Sequence, residues 1–236
     1  MTPGTLAVLA LGGVLGFRHA FEPDHLAAVS TLATRQGRLW SAARLGLAWG
    51  LGHTATVGVV VLLVIALGVR LPPALWPAAE LLVAALLVLL GATVMWRYAR
   101  GRWHIHPHTH PAEGGPPHLH LHTHAHGAEH AHGHATIDAR RSLGFGVAHG
   151  LAGSGAIAVL LVAAAPDLTS RLAYFAAFGA GTSLGMLAVS LSLAGLVRLA
   201  AGRGTRWATL LHVGSALASV VAGVVLAWGV IGTGNY

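Results

Sequence analysis

Several apolar stretches in this sequence run longer than the roughly 18 to 20 residues that a helix needs to cross about 30 Å of hydrocarbon. No water is available there to satisfy a free amide or carbonyl, so such stretches must be helical. Composition agrees: 55% of the 236 residues are hydrophobic and 9% are charged, whereas a soluble domain keeps about a quarter of its residues charged to hydrate its surface. The chain reads as all-α and polytopic, with about six transmembrane helices at roughly residues 5–34, 39–69, 76–98, 142–165, 172–200 and 207–231. Residues 1–98 then form a first transmembrane half of three helices, 99–141 a long connection, and 142–236 a second half of three helices.

All 14 basic residues are Arg, and a formal charge of +7 would suggest nucleic acid in a soluble protein. Here the Arg residues stand at the ends of apolar runs, so the lipid bilayer is the expected partner and nucleic acid is not. Arg35, Arg38 and Arg44 follow the first span, Arg97, Arg100, Arg102, Arg140 and Arg141 flank the third connection, and Arg198, Arg203 and Arg206 the fifth. Only Arg70 and Arg171 mark the second and fourth. The positive-inside rule therefore puts the odd-numbered connections in the cytoplasm and both termini outside, as in a multi-pass protein of a bacterial inner membrane. Trp40, Trp76, Trp96, Trp103, Trp207 and Trp228 read as an interfacial belt. Residues Met1 to Thr5 lack the basic segment of a signal peptide, so the first span is expected to be retained.

The long connection holds twelve of the seventeen histidines: His104, His106, His108, His110, His118, His120, His122, His124, His126, His130, His132 and His134. Mixed with Gly, Pro and Ala, it has too little apolar surface to offset chain entropy and is expected to be disordered. Its His-x-His spacing suits metal binding. A weak repeat relates the two halves: Leu15-Gly16-Phe17 recurs as Leu143-Gly144-Phe145, Gly50 and Gly52 as Gly179 and Gly181, and Gly91 with Trp96 as Gly223 with Trp228. Three spans per half would make the second an inverted copy of the first, a 3+3 arrangement used by many secondary transporters.

The segment Arg18-His19-Ala20-Phe21-Glu22-Pro23-Asp24-His25 lies in the middle of the first span. A central Arg or Asp costs about 2.5–3.5 kcal/mol on insertion scales, while a Leu or Val returns only about 0.3–0.6, so these side chains must face protein or a wet cavity. On a regular helix His19, Asp24 and His25 do not share a face. Pro23 lacks the N–H that would bond the His19 carbonyl, so the helix is expected to break there and let two imidazoles, a carboxylate and a freed carbonyl converge. Arg18 and Glu22, four apart, are expected to pair and, with Pro23, to support the site. His53, within Leu51-Gly52-His53-Thr54 of the second span, is the expected fourth ligand, and His149 and His212 are candidates for a pathway nearer the cytoplasmic face.

Imidazole and carboxylate donors form a borderline set suited to Ni, Co, Cu(II) or Zn. The absence of Cys and the scarcity of Met argue against Cu(I), and the His content against an all-oxygen Mg or Ca site. At these residues the chain resembles the nickel/cobalt transporter superfamily, whose signature HxxxxDH is seen here as His19 through Asp24-His25, with Arg18-His19-Ala20 and Leu51-Gly52-His53-Thr54 also similar. Larger members have eight spans and acidic motifs in later helices. With about six spans and His149-Gly150-Leu151-Ala152-Gly153-Ser154-Gly155 in their place, this chain resembles the shorter branch of urease-accessory nickel permeases.

That resemblance implies uptake of Ni2+ or Co2+ as transported substrate for a cytoplasmic metalloenzyme. It is compatible with hand-over to a metallochaperone and with a homo-oligomer. Related exporters also carry His-rich loops, so efflux is the alternative direction, and a non-transporting metal sensor or buffer is an alternative of another class. An enzyme is not expected, since no Walker loop, HExxH or multiple HxxHH boxes occur, and no resident cofactor is called for.

Overall fold

The structure, a computed structural model, describes residues 3–33, 39–67, 72, 74–100, 104–108, 118–122, 134–151 and 167–233. Seven helices are described: α1 (Pro3–His19), α2 (Pro23–Ala33), α3 (Leu39–Leu67), α4 (Leu75–Ala99), α5 (His134–Leu151), α6 (Leu168–Gly202) and α7 (Thr205–Thr233). Among the described residues α3, α4, α6 and α7 are each long and apolar enough to cross a membrane. The expected first span is divided between α1 and α2, and the expected fourth begins as α5, its remainder beyond Leu151 lying outside the described residues. Large apolar side chains such as Leu62, Leu63, Val224, Val225 and Ile231 are exposed on the outer surface of the bundle, which in water would be a large sticky patch and in lipid is the matching solvent.

Small residues set how the helices pair. Gly12 and Gly16 of α1 lie against Tyr174 and Phe178 of α6, and further along Gly185 lies against Ala20, so α1 and α6 run parallel. On α5, Gly146 meets Trp49 and Gly150 meets His53 and Thr56, so α5 runs parallel to α3. By contrast Gly46 of α3 meets Ser190 and Gly58 meets Phe175, which makes α3 and α6 antiparallel. It follows that α1 and α5 enter the bundle from opposite ends. Except at Gly58, which meets the Phe175 ring, a Cβ at each of these contacts would collide with backbone, so only glycine permits the approach.

These contacts repeat with the halves exchanged. Gly91 meets Ala216 and Val220 while Gly223 meets Ala84 and Val88, and Gly50 meets Ser183 while Gly179 meets Thr54. The repeat is thus a pseudo-two-fold arrangement of α1, α3 and α4 against α5, α6 and α7. One correspondence differs from the sequence alignment: Gly144 has open space around it, and the partner of Gly16 is Gly146, which packs on Trp49 as Gly16 packs on Phe178. Identity of the flanking Leu and Phe favoured Gly144, but the contact that needs a missing side chain lies two residues on.

Three helix ends carry an Arg over a Trp ring: Arg44 5.8 Å from Trp40, Arg100 5.1 Å from Trp96 and Arg206 5.5 Å from Trp207. All three belong to odd-numbered connections, where the amphipathic ring and the cation suit a headgroup layer. At the other end of α6, Asp167 accepts from the Ser170 N–H and hydroxyl, both at 2.8 Å, and these bonds hold its carboxyl below the ordinary value. Where a disordered connection is expected, the structure describes two short strands, β1 (His104–His108) and β2 (His118–His122), paired antiparallel with His104, His106 and His108 opposite His122, His120 and His118. The period-two His-x-His pattern suits extended chain.

Candidate metal site

The break in the first span follows from Pro23. At the end of α1 the Phe21 N–H donates to the Arg18 carbonyl (2.9 Å) and the Glu22 N–H to the His19 carbonyl (3.0 Å), tight bonds that finish the helix. Pro23 then opens α2 at the position where its missing N–H costs nothing, and Leu26 N–H donates back to the Glu22 carbonyl (2.9 Å). Asp24 sits in the first turn of α2, where the helix dipole favours a carboxylate, and accepts from the His25 N–H at 2.9 Å. The last turn of α1, the negative end of its dipole, carries His19. The His19 carbonyl, expected to be freed by Pro23, instead accepts from the Glu22 N–H.

Protein covers the inner side of the irregular stretch, while Phe21 and Pro23 are exposed. Ala20, Ala27, Ala28 and Val29 are buried against Leu45, Trp49, Leu87 and Met186 in the main core cluster. Four imidazoles converge here, with His19 4%, His25 0%, His53 0% and His149 2% exposed. His19 Nε2 lies 3.3 Å from His53 Nε2, and the His25 ring centroid lies 4.5 Å from His19, 5.2 Å from His53 and 4.2 Å from His149. His53 and His149 are neighbours because Gly146 and Gly150 bring α5 onto the backbone of α3.

Asp24 ties the set together. Its Oδ1 is 3.1 Å from His25 Nδ1 and its Oδ2 is 3.0 Å from His149 Nε2. A carboxylate only accepts, so Nδ1–H of His25 points at Asp24 and the lone pair of His25 falls on Nε2, a buried atom with no hydrogen-bond partner. Glu22 does the same for His19, with Oε1 3.1 Å from Nδ1, so the His19 lone pair also falls on Nε2. Glu22 therefore pairs with His19 and not with Arg18, which is exposed. The turn of residues 20–22 breaks the i,i+4 geometry that an Arg18–Glu22 pair requires.

Two groups of three meet the spacing of a cation site: His19, His25 and His53, and Asp24, His25 and His149, the potential ligand atoms of each lying within 4.8 Å of one another. Imidazole nitrogens bonded to one transition-metal ion at about 2.0–2.1 Å stand roughly 3.0–3.5 Å apart, so the His19–His53 pair is already at bonding separation. His25 keeps a buried Nε2 without a partner, which an incoming cation would satisfy, whereas the unpartnered nitrogen of His53 is Nδ1, across its ring from the Nε2 that faces His19.

Of the four residues expected as ligands, His19, His25 and His53 form one group, and Asp24 adjoins them through His25 in the group that it makes with His149. His149, expected as a pathway residue, stands in the cluster itself, bonded to Asp24. His212 is buried on α7 but belongs to neither group. Of the His-rich connection, His104, His106, His108, His118, His120 and His122 lie on the strands and His134 opens α5, while His110, His124, His126, His130 and His132 lie outside the described residues.

No family model and no solved structure matches the chain. Over 182 residues it is 34% identical to the urease accessory protein UreH of Bacillus sp. (strain TB-90), an alignment that covers 77% of this chain and 74% of that one. With the HxxxxDH motif intact and its donors gathered at a helix break, the chain belongs to the UreH family of urease accessory proteins, the shorter branch of the nickel/cobalt transporter superfamily.

Proposed function

We propose that this protein is a secondary transporter that carries Ni2+, and with it Co2+, into the cytoplasm, where a nickel enzyme such as urease consumes it. The observation that carries the reading is the cluster of His19, Asp24, His25 and His53 at a broken helix inside an apolar bundle. Intramembrane ionisable groups are expensive and are kept where an ion passes. Irregular backbone at that depth supplies ion sites in transporters built from inverted halves.

The donor set is chosen for a borderline dication. Imidazoles, with the Asp24 carboxylate beside them on His25, strip water from Ni2+ or Co2+ and replace it with nitrogen and oxygen, while Glu22 fixes the tautomer of His19 from behind. A dication moving inward gains about 4.6 kcal/mol per 100 mV of inside-negative potential, twice the single-charge value, which is enough to drive accumulation without a nucleotide. The His-rich connection buffers metal on arrival.

The test is reconstitution into liposomes, following nickel and cobalt uptake for the wild type, His19→Ala and a deletion of residues 104–134. Flux lost in His19→Ala and retained in the deletion is the expected result. Flux retained in His19→Ala and lost on deletion would place the working metal site in the connection and reject this reading.

A further inference from the structure

We propose that the cluster offers the cation two positions in series, one between His19, His25 and His53 and a second between Asp24, His25 and His149, and that the cation crosses by passing from one to the other around the His25 ring. The inference rests on the transport reading above and assigns His149, which that reading leaves without a role.

His25 belongs to both groups. A neutral imidazole carries one lone pair, so His25 can serve one position at a time and the two cannot be filled together. Its Nδ1 is on the Asp24 side, 3.1 Å from Oδ1, and its Nε2 is the nitrogen left to the His19–His53 pair. Two dications a few ångströms apart in a dry bundle would also repel strongly. The cluster therefore holds one ion with two resting places.

The pseudo-two-fold relation points the same way. Gly16 on Phe178 and Gly146 on Trp49 are equivalent contacts, and three residues beyond each glycine stand His19 and His149. These are the same position in the two halves, carried on helices that enter from opposite ends of the bundle. Only the first half continues into a ligating pair: Asp24-His25 is followed in the repeat by Ser154-Gly155, which has neither carboxylate nor imidazole. One Asp–His pair thus serves two symmetry-related histidines, one from each side.

The experiment uses the full chain. Co2+ binding in detergent is read from its visible absorption, with His25→Ala, which removes both positions, as the blank for the His-rich connection, and Co2+ flux is measured in proteoliposomes. For His149→Gln the expected result is binding above the blank with affinity within about threefold of wild type, and flux lower by at least about tenfold. His149→Cys, which restores a donor, should recover part of that flux, as no purely structural role would allow. The series is overturned if His149→Gln carries cobalt at the wild-type rate, if its affinity and flux fall by the same factor, or if His149→Cys is no better than His149→Gln. A wild type that carries no cobalt overturns the transport reading and the series with it, whereas wild-type flux with parallel losses overturns the series alone.

Discussion

Asp24 Oδ2 lies 3.0 Å from Nε2 of His149, and through that contact the half-helix after Pro23 in the first half of the chain is joined to α5 of the second. The same carboxylate holds Nδ1 of His25 at 3.1 Å, so one side chain orients two imidazoles and supplies the negative charge that a dication needs.

Asp24→Asn keeps the shape of the side chain and removes its charge. Nickel uptake into proteoliposomes should fall by at least about tenfold, while the protein still elutes as a folded species in detergent. Uptake within twofold of wild type would show that the carboxylate is dispensable.

Glu22→Gln tests the carboxylate behind His19. The amide can still accept from Nδ1–H, but it no longer raises the basicity of the ring, so nickel affinity should drop by about 10-fold and no more than about 100-fold. Arg18→Gln, which alters no contact of the cluster, should leave affinity unchanged. Equal losses in the two variants would contradict the assignment of Glu22 to His19.

Packing gives a prediction that is independent of metal. In Gly146→Ala the new methyl meets the Trp49 carbonyl and the His53 backbone, and in Gly16→Ala it meets Phe178. Each should cost about 1–3 kcal/mol, seen as a lowered thermal midpoint in detergent, and the two losses should be similar because the contacts are equivalent. Gly144→Ala, with open space around it, is the neutral control.

Much of this was legible in the residues. Pro23 four residues after His19, with Asp24 and His25 directly behind, specifies a break and a set of donors by the loss of one N–H, which is local chemistry. Contacts between distant elements were harder to read. The His149–Asp24 contact depends on which glycine of α5 meets α3, and Gly144 and Gly146 are alike until the helices are packed. Glu22 was expected to reach Arg18 because an unbroken helix sets i,i+4 neighbours, yet the break that gathers the donors also turns Glu22 to His19. The His19 carbonyl is occupied for the same reason, since the tight turn that follows supplies the Glu22 N–H as its donor.

Pro23→Ala restores the amide that a continuous helix requires. Nickel affinity should fall by at least about tenfold as the straight-helix alternative separates His19 from His25, with stability lowered by no more than about 1 kcal/mol. Unaltered affinity would mean that packing around α2 alone enforces the break.

The most direct test is nickel accumulation in sealed proteoliposomes under an imposed inside-negative potential, comparing the full-length protein with His25→Ala, which removes the one imidazole common to both donor groups. Saturable, potential-driven uptake that is abolished by His25→Ala is the expected result. Equal uptake by the two proteins would contradict a metal path through the histidines at the helix break.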